Sequence, residues 1–328
     1  MKPLPALCRI ALVALVSLSA ATSHAADSKP LHVLFFNKSS GFEHSVIKLI
    51  PDVKDVSIVA PLDGKLVAVQ GKRIAPTFAG GVLKEIAAKN NMEITETKDG
   101  TIFTSPDLAK FDVFLFYTTG DLTKDSKDGK GMGDDGKIAL LNAIKGGKGF
   151  VALHCGSDTF HSKGPKKPGS EDAEKVDPYI AMLGGEFISH GAQQKAKMVC
   201  VDNKFPGFAT VGTGFEIQEE WYALKNFPAD LHVILVQDNT GMTGPVYQRP
   251  PYPATWARKE GKGRVFYSSM GHREDVWTNP IFQNALVGAL NWTGRRVEAD
   301  ITPNIDKVAP HAHEYLAPAP PKPAAPSK

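Results

Sequence analysis

Four histidines in this sequence stand just past apolar runs or in loops beside them: His44 in "GFEHS", His154 in "FVALHCGSDTF", His190 in "EFISHG" and His272 in "SSMGHR". Imidazole titrates near neutrality and its neutral form binds metal ions, so histidines that meet at one place can act as general acid/base or as ligands. His154 is the most telling of the four. Residues 150–153 are all apolar, and the run stops at His154, Cys155 and Gly156. Ala152 and Gly156 lie two residues before and two after His154, and small flanking residues are what a sharp strand-to-helix elbow needs to display one side chain. Cys155 is one residue off the displayed position. A helix starting at the elbow would also keep His154 neutral, because the positive end of its dipole disfavours imidazolium.

Other polar residues fall near the same places. Glu219 and Glu220 precede Trp221 and Tyr222, which sets carboxylates beside aromatic rings, as sugar sites often do. Asp158 follows the elbow, and Arg273 follows His272. We expect His154, His190, His272 and Glu220 to be catalytic and His44, Asp158, Glu219, Trp221, Tyr222 and Arg273 to bind substrate. Convergence of His154, His190 and His272 would also suit a divalent metal such as zinc, although the chain lacks the close histidine pair of a dedicated zinc motif. A cysteine hydrolase built on Cys155 is a competing reading.

These residues need a scaffold that gathers strand ends. "LHVLFF" (31–36), "MEITET" (92–97), "FDVFLFY" (111–117) and "GFVAL" (149–153) read as strands, and "FAGGVLKEIAAKNN" (78–91) and "DDGKIALLNAIKGG" (134–147) as helices between them. That succession predicts an α/β fold with a doubly wound, mostly parallel sheet and helices on both faces, whose ligands sit beyond the carboxyl ends of the strands. Further on, residues 229–237, 252–260 and 263–269 read as strands. "NPIFQNALVGALNWTG" (279–294) is a closing helix with Asn279 as cap and Pro280 in its first turn. Residues 51–77 interrupt the first unit as a hairpin-like insertion.

The ends differ in character. Lys2 and Arg9 flank a short apolar stretch that ends at Ser23-His24-Ala25, which reads as a signal peptide over residues 1–25 and predicts export to the periplasm or the medium. Its loss takes Lys2 and Arg9 with it and lowers the formal charge from +3 to +1. Nothing in that balance suggests nucleic acid or an anionic membrane as partner, and no later apolar run approaches a membrane span. The Pro/Ala-rich residues 303–328 read as a disordered tail. Cys155 and Cys200, left after cleavage, are expected to be free thiols.

Together, "GFEHS", "FYTTGDLT", "GKGFVALHCGSDTF", "LGGEFISHG", "EEWY" and "GKGRVFYSSMGHREDVWTNPIF", in that order over residues 31–294, resemble the ThuA-like (trehalose utilisation) family. The resemblance implies a class I glutamine amidotransferase-like, flavodoxin-like fold. It also implies a small-molecule carbohydrate or keto-sugar derivative as ligand. In the amidotransferases the elbow carries a catalytic cysteine; the matching position here is His154, which argues against amidotransferase chemistry. A non-catalytic carbohydrate-binding protein is the remaining alternative.

Overall fold

Strands buried on both faces need nearly continuous apolar runs, and the runs ending at Phe36, Phe116 and Leu153 meet that need. The computed structural model describes residues 29–49, 56–59, 67–70, 77–167 and 175–314. The signal-like residues 1–25 lie outside the described residues. The chain opens with β1 (Leu31–Phe36), followed by β2 (Val56–Val59) and β3 (Val67–Gln70), which pair antiparallel with Val56 opposite Gln70. Next come α1 (Phe78–Lys89), β4 (Met92–Thr97), β5 (Val113–Phe116), α2 (Gly133–Gly146) and β6 (Gly149–Leu153). After these stand α3 (Pro178–Leu183), β7 (Glu186–His190), β8 (Gln194–Cys200), β9 (Gly214–Glu219) and β10 (Tyr222–Lys225). The chain continues through β11 (His232–Asp238), β12 (Tyr252–Glu260), β13 (Gly263–Ser268), α4 (Glu274–Trp277), α5 (Pro280–Thr293) and α6 (Ile305–Val308).

Nine strands form one sheet in the order β4-β1-β5-β6-β13-β12-β11-β8-β9. β4, β1, β5, β6 and β13 run parallel, while β12, β11, β8 and β9 each pair antiparallel with their neighbours. The sheet is therefore mixed rather than mostly parallel. The reason is visible between β12 and β13, where only Gly261 and Lys262 connect the strands and so short a link can only return antiparallel. β7 and β10 form a separate two-stranded ladder that sets Tyr222 opposite His190.

β5 and β6 are buried throughout, and β1 throughout except at His32. α5 packs on β6 and β13 as its sequence dictates: the Asn279 side chain accepts the Ile281 N–H, Pro280 occupies the first turn, and Phe282, Leu286 and Ala289 are buried. Chain beyond Pro303 departs from expectation. Ile305, Ala309 and Ala312 recur at helical spacing and are buried, the Asn304 side chain bonds the Val233 backbone in both directions, and Arg249 donates to the Ala312 carbonyl. Residues through 314 thus belong to the packed fold, and the rest of the tail lies outside the described residues. Cys155 and Cys200 are both free thiols. No helix among the described residues is long and apolar enough to cross a membrane.

Candidate functional site

The carboxyl ends of the parallel strands deliver the histidines. His44 lies in the loop after β1, His154 directly follows β6, and His272 lies four residues past β13. The β7–β10 ladder adds His190 and Tyr222, and Glu220 sits in the short link between β9 and β10.

His154 adopts φ 40°, a left-handed conformation that non-glycine residues seldom take and that strand-end elbows use to display a side chain. Its carbonyl accepts hydrogen bonds from Tyr267 Oη at 2.8 Å and Ser157 Oγ at 3.2 Å, which fix the turn. Gly156 is required by a close approach, since a Cβ there would stand 2.7 Å from that of Ala152. The elbow leads into a 3-10 turn over His154–Asp158 and not into an α-helix, so no helix dipole acts on the imidazole. Burial does the work instead: His154 is fully buried and its pKa falls to about 4, with Glu220 opposing the fall. Its Nδ1 lies 3.0 Å from the Ser269 carbonyl. A carbonyl can only accept, so the neutral ring carries its proton on Nδ1 and leaves Nε2 as a bare lone pair.

That lone pair faces company. His154 Nε2 is 3.3 Å from His272 Nδ1 and 3.6 Å from Glu220 Oε2, and His272 Nδ1 is 3.0 Å from the same oxygen. His44, Glu220, His154 and His272 each offer one ligand atom, and all four atoms lie within 4.8 Å of one another. The His44 ring stands 5.0 Å from that of His154 and 5.1 Å from that of His272, with its Nε2 3.4 Å from the Tyr222 hydroxyl and its buried Nδ1 unpartnered. Burial, then His154, hold the His44 pKa well below the ordinary histidine value. Burial works against the Glu220 carboxylate, but its close approach to the His154 and His272 imidazoles outweighs it and keeps its pKa well below the usual range. His272 is desolvated too, yet Glu220 raises its pKa above the ordinary value.

Three segments are locked together around this cluster. Glu219 Oε2 accepts the N–H groups of Gly271 and His272 at 2.8 and 3.1 Å, and its Oε1 accepts the Glu220 N–H at 2.8 Å. Gly271 has φ 124°, a conformation side-chain-bearing residues avoid, and its carbonyl accepts from Tyr117 Oη and Trp277 Nε1. Ser45 Oγ donates to the buried Glu274, tying the His44 loop to the segment after His272. Solvent reaches the cluster from one side, where the Glu220, His272 and His190 side chains are 12%, 16% and 43% exposed.

The structure thus brings His154, His272, Glu220 and His44 together. His190 touches the edge of the group, its Nδ1 3.3 Å from Glu220 Oε1, and it stands outside the four possible ligands. Tyr222 packs its ring 4.0 Å from that of His154. The remaining expectations move. Glu219 is fully buried behind the cluster, where burial pushes its pKa up to about 7, and so it positions backbone and cannot reach a substrate. Trp221 is fully buried with its indole N–H on the Gln194 carbonyl, so it offers no stacking face. Asp158 pairs with His161 at 3.0 Å, and Arg273 pairs with Asp275 and Gln193. Cys155 is fully buried, and burial pushes its thiol well above the ordinary value, the opposite of what a nucleophile needs. Sequence reasoning missed Tyr117 and Ser269, whose roles run through a hydroxyl-to-carbonyl bond and a backbone carbonyl that leave no mark in residue type.

The family described as Trehalose utilisation (ThuA) matches residues 32–293. Among solved structures, a ThuA-like protein from Bacteroides uniformis superposes with a TM-score of 0.54 at 14% identity, covering 83% of this chain and 94% of that one. A ThuA-like protein from Parabacteroides merdae gives a TM-score of 0.51 at 14% identity, covering 84% and 94%. No curated protein sequence matches the chain. At these identities the structural likeness speaks for the fold alone.

Proposed function

Because this chain belongs to the ThuA (trehalose utilisation) family, we propose that it is an exported protein that holds a divalent metal ion of the zinc type and acts on a carbohydrate or keto-sugar derivative. His44, His154, His272 and Glu220 are the ligands in this reading. One observation carries it: Glu220 Oε2, His272 Nδ1 and His154 Nε2 form a triangle with sides of 3.0, 3.3 and 3.6 Å. A tetrahedral ion with bonds of about 2.0–2.1 Å sets its donor atoms about 3.3–3.4 Å apart. Three histidines and one carboxylate also match the ligand chemistry of such ions, and the Nδ1 proton of His154 on the Ser269 carbonyl is the usual way a protein fixes a ligating imidazole. When bound, such an ion supplies Lewis-acid polarisation of a sugar carbonyl or hydroxyl.

The chain's own residues do the rest. His190 is the most solvent-accessible imidazole at the cluster, and its contact with Glu220 suits it to move a proton at the substrate's edge. Glu219 keeps Gly271 and His272 in register with Glu220. The family description supports the carbohydrate, and the pattern of residues 1–25 supports export. The test is turnover of disaccharides and their 3-keto derivatives by protein stripped with a chelator and then reconstituted with zinc. Turnover that vanishes on stripping and returns with metal supports the reading, and turnover indifferent to the chelator overturns the metal's part in it.

A further inference from the structure

Phe42 is the one aromatic side chain among the large exposed hydrophobic residues described, at 67% exposure. An isolated exposed apolar residue is ordinary; the setting of this one is not. Its ring stands edge-on to His44 with centroids 5.0 Å apart at 90°, so it sits directly beside the polar histidine and glutamate cluster. Its backbone is also held firmly. Thr119 Oγ1 donates to the Phe42 carbonyl at 3.0 Å and accepts the Gly41 N–H at 3.2 Å, while the Ser40 N–H reaches the Thr119 carbonyl at 2.8 Å. Two parallel strand ends, those of β1 and β5, therefore clamp the loop that presents the ring. A rigid loop that keeps a phenyl ring in water next to a polar site pre-organises a flat apolar surface for a ligand that has both an apolar face and polar edges.

We propose that Phe42 is the stacking platform for a pyranose ring, which lays its C–H face on the phenyl and turns its hydroxyls toward His44, His272 and Glu220. This rests on the carbohydrate reading above and names the residue that selects for a ring with an unbroken C–H face. Tyr117, Trp221 and Trp277 are fully buried and Tyr222 nearly so, and the half-buried Phe187 is packed against Tyr222 and His190. His190 lies outside the stack beside Phe42, since its own ring stacks on Tyr222 at 5.9 Å.

The experiment compares parent protein, Phe42→Ala and Phe42→Trp for binding of trehalose, cellobiose and 3-keto-trehalose by calorimetry, with sorbitol as an acyclic control, and measures zinc content in parallel. An aromatic contact of this kind is worth about 0.5–1.5 kcal/mol, so Phe42→Ala should weaken saccharide binding about three- to tenfold. Phe42→Trp should bind within about threefold of the parent, with its indole fluorescence shifting to the blue as the sugar covers it. Zinc content should be the same in all three proteins. If Phe42→Ala binds the saccharides as tightly as the parent, Phe42 is no platform and the carbohydrate reading stands without it. If the zinc-loaded parent binds sorbitol as well as the sugars, or binds no saccharide in the panel, the carbohydrate reading fails and the platform falls with it.

Discussion

Adding a single methyl group at Gly156 should test the elbow without touching a charged residue. The backbone at Gly156 is not left-handed, so alanine is conformationally allowed and would by itself stabilise by about 0.4–1 kcal/mol through the unfolded chain. Its Cβ would, however, come within 2.7 Å of the Ala152 Cβ, whereas carbon atoms prefer about 3.5–4.0 Å. The neighbours cannot retreat easily. Ala152 is fully buried in β6 between β5 and β13, and the Gly156 carbonyl accepts from the Tyr179 hydroxyl at 2.9 Å. Overpacking of this kind costs about 1–3 kcal/mol, so Gly156→Ala should destabilise by about 1–2 kcal/mol net in urea unfolding. Removing the opposing methyl with Ala152→Gly should relieve the clash, giving a coupling of about 1 kcal/mol or more in the double-mutant cycle. The strain lies two residues from His154, so zinc affinity measured against a chromophoric chelator should fall about tenfold in the single variant and recover in the double. Gly156→Ala within about 0.5 kcal/mol of the parent, or strict additivity with Ala152→Gly, would refute the claim that this contact shapes the elbow.

Three further outcomes rest on other parts of the structure. Iodoacetamide should label Cys200, which is half-buried, and leave Cys155 unmodified in the native protein, as mass spectrometry of the peptides would reveal. His161 is desolvated, but its hydrogen bonds to Asp158 and Glu186 outweigh that and raise its pKa to about 9. A raised histidine pKa adds stability that is fully present below about pH 6.5 and fades as pH rises through about 9, so the stability gap between parent and His161→Gln should shrink between pH 6 and pH 10. Truncation after Thr302 removes the buried Ile305 and the paired bonds of Asn304, and should lower unfolding stability by about 3 kcal/mol or more, readable as a lower urea midpoint.

The parallel half of the fold is legible because its strands and helices follow simple periodicities. α5 is written in its Asn-Pro cap and apolar stripe, and β1, β5 and β6 in runs that only a doubly covered strand can bury. The histidines were legible for the same reason, since strand-end positions in a parallel sheet meet at one edge. The division of labour between Glu219 and Glu220 was not. It depends on the chain turning from β9 into β10, so that one carboxylate faces inward to three N–H groups and its neighbour faces the imidazoles. The β7–β10 ladder that sets His190 opposite Tyr222 joins segments more than thirty residues apart, and local pattern carries no record of such pairing. Trp221 illustrates the reverse error: an aromatic beside a carboxylate suggests a sugar platform, yet large aromatics gravitate to the core, while the large exposed aromatic among the described residues is Phe42, in a loop whose conformation Thr119 fixes.

The central claim is that His44, His154, His272 and Glu220 hold a metal ion, and metal stoichiometry tests it most directly. Protein incubated with zinc, desalted and analysed by inductively coupled plasma mass spectrometry should retain roughly one ion per chain. His154→Ala and Glu220→Ala should retain little while keeping the circular dichroism of the parent. A parent protein that retains no zinc, manganese or other divalent ion under these conditions, or variants that retain as much as the parent, would contradict the account.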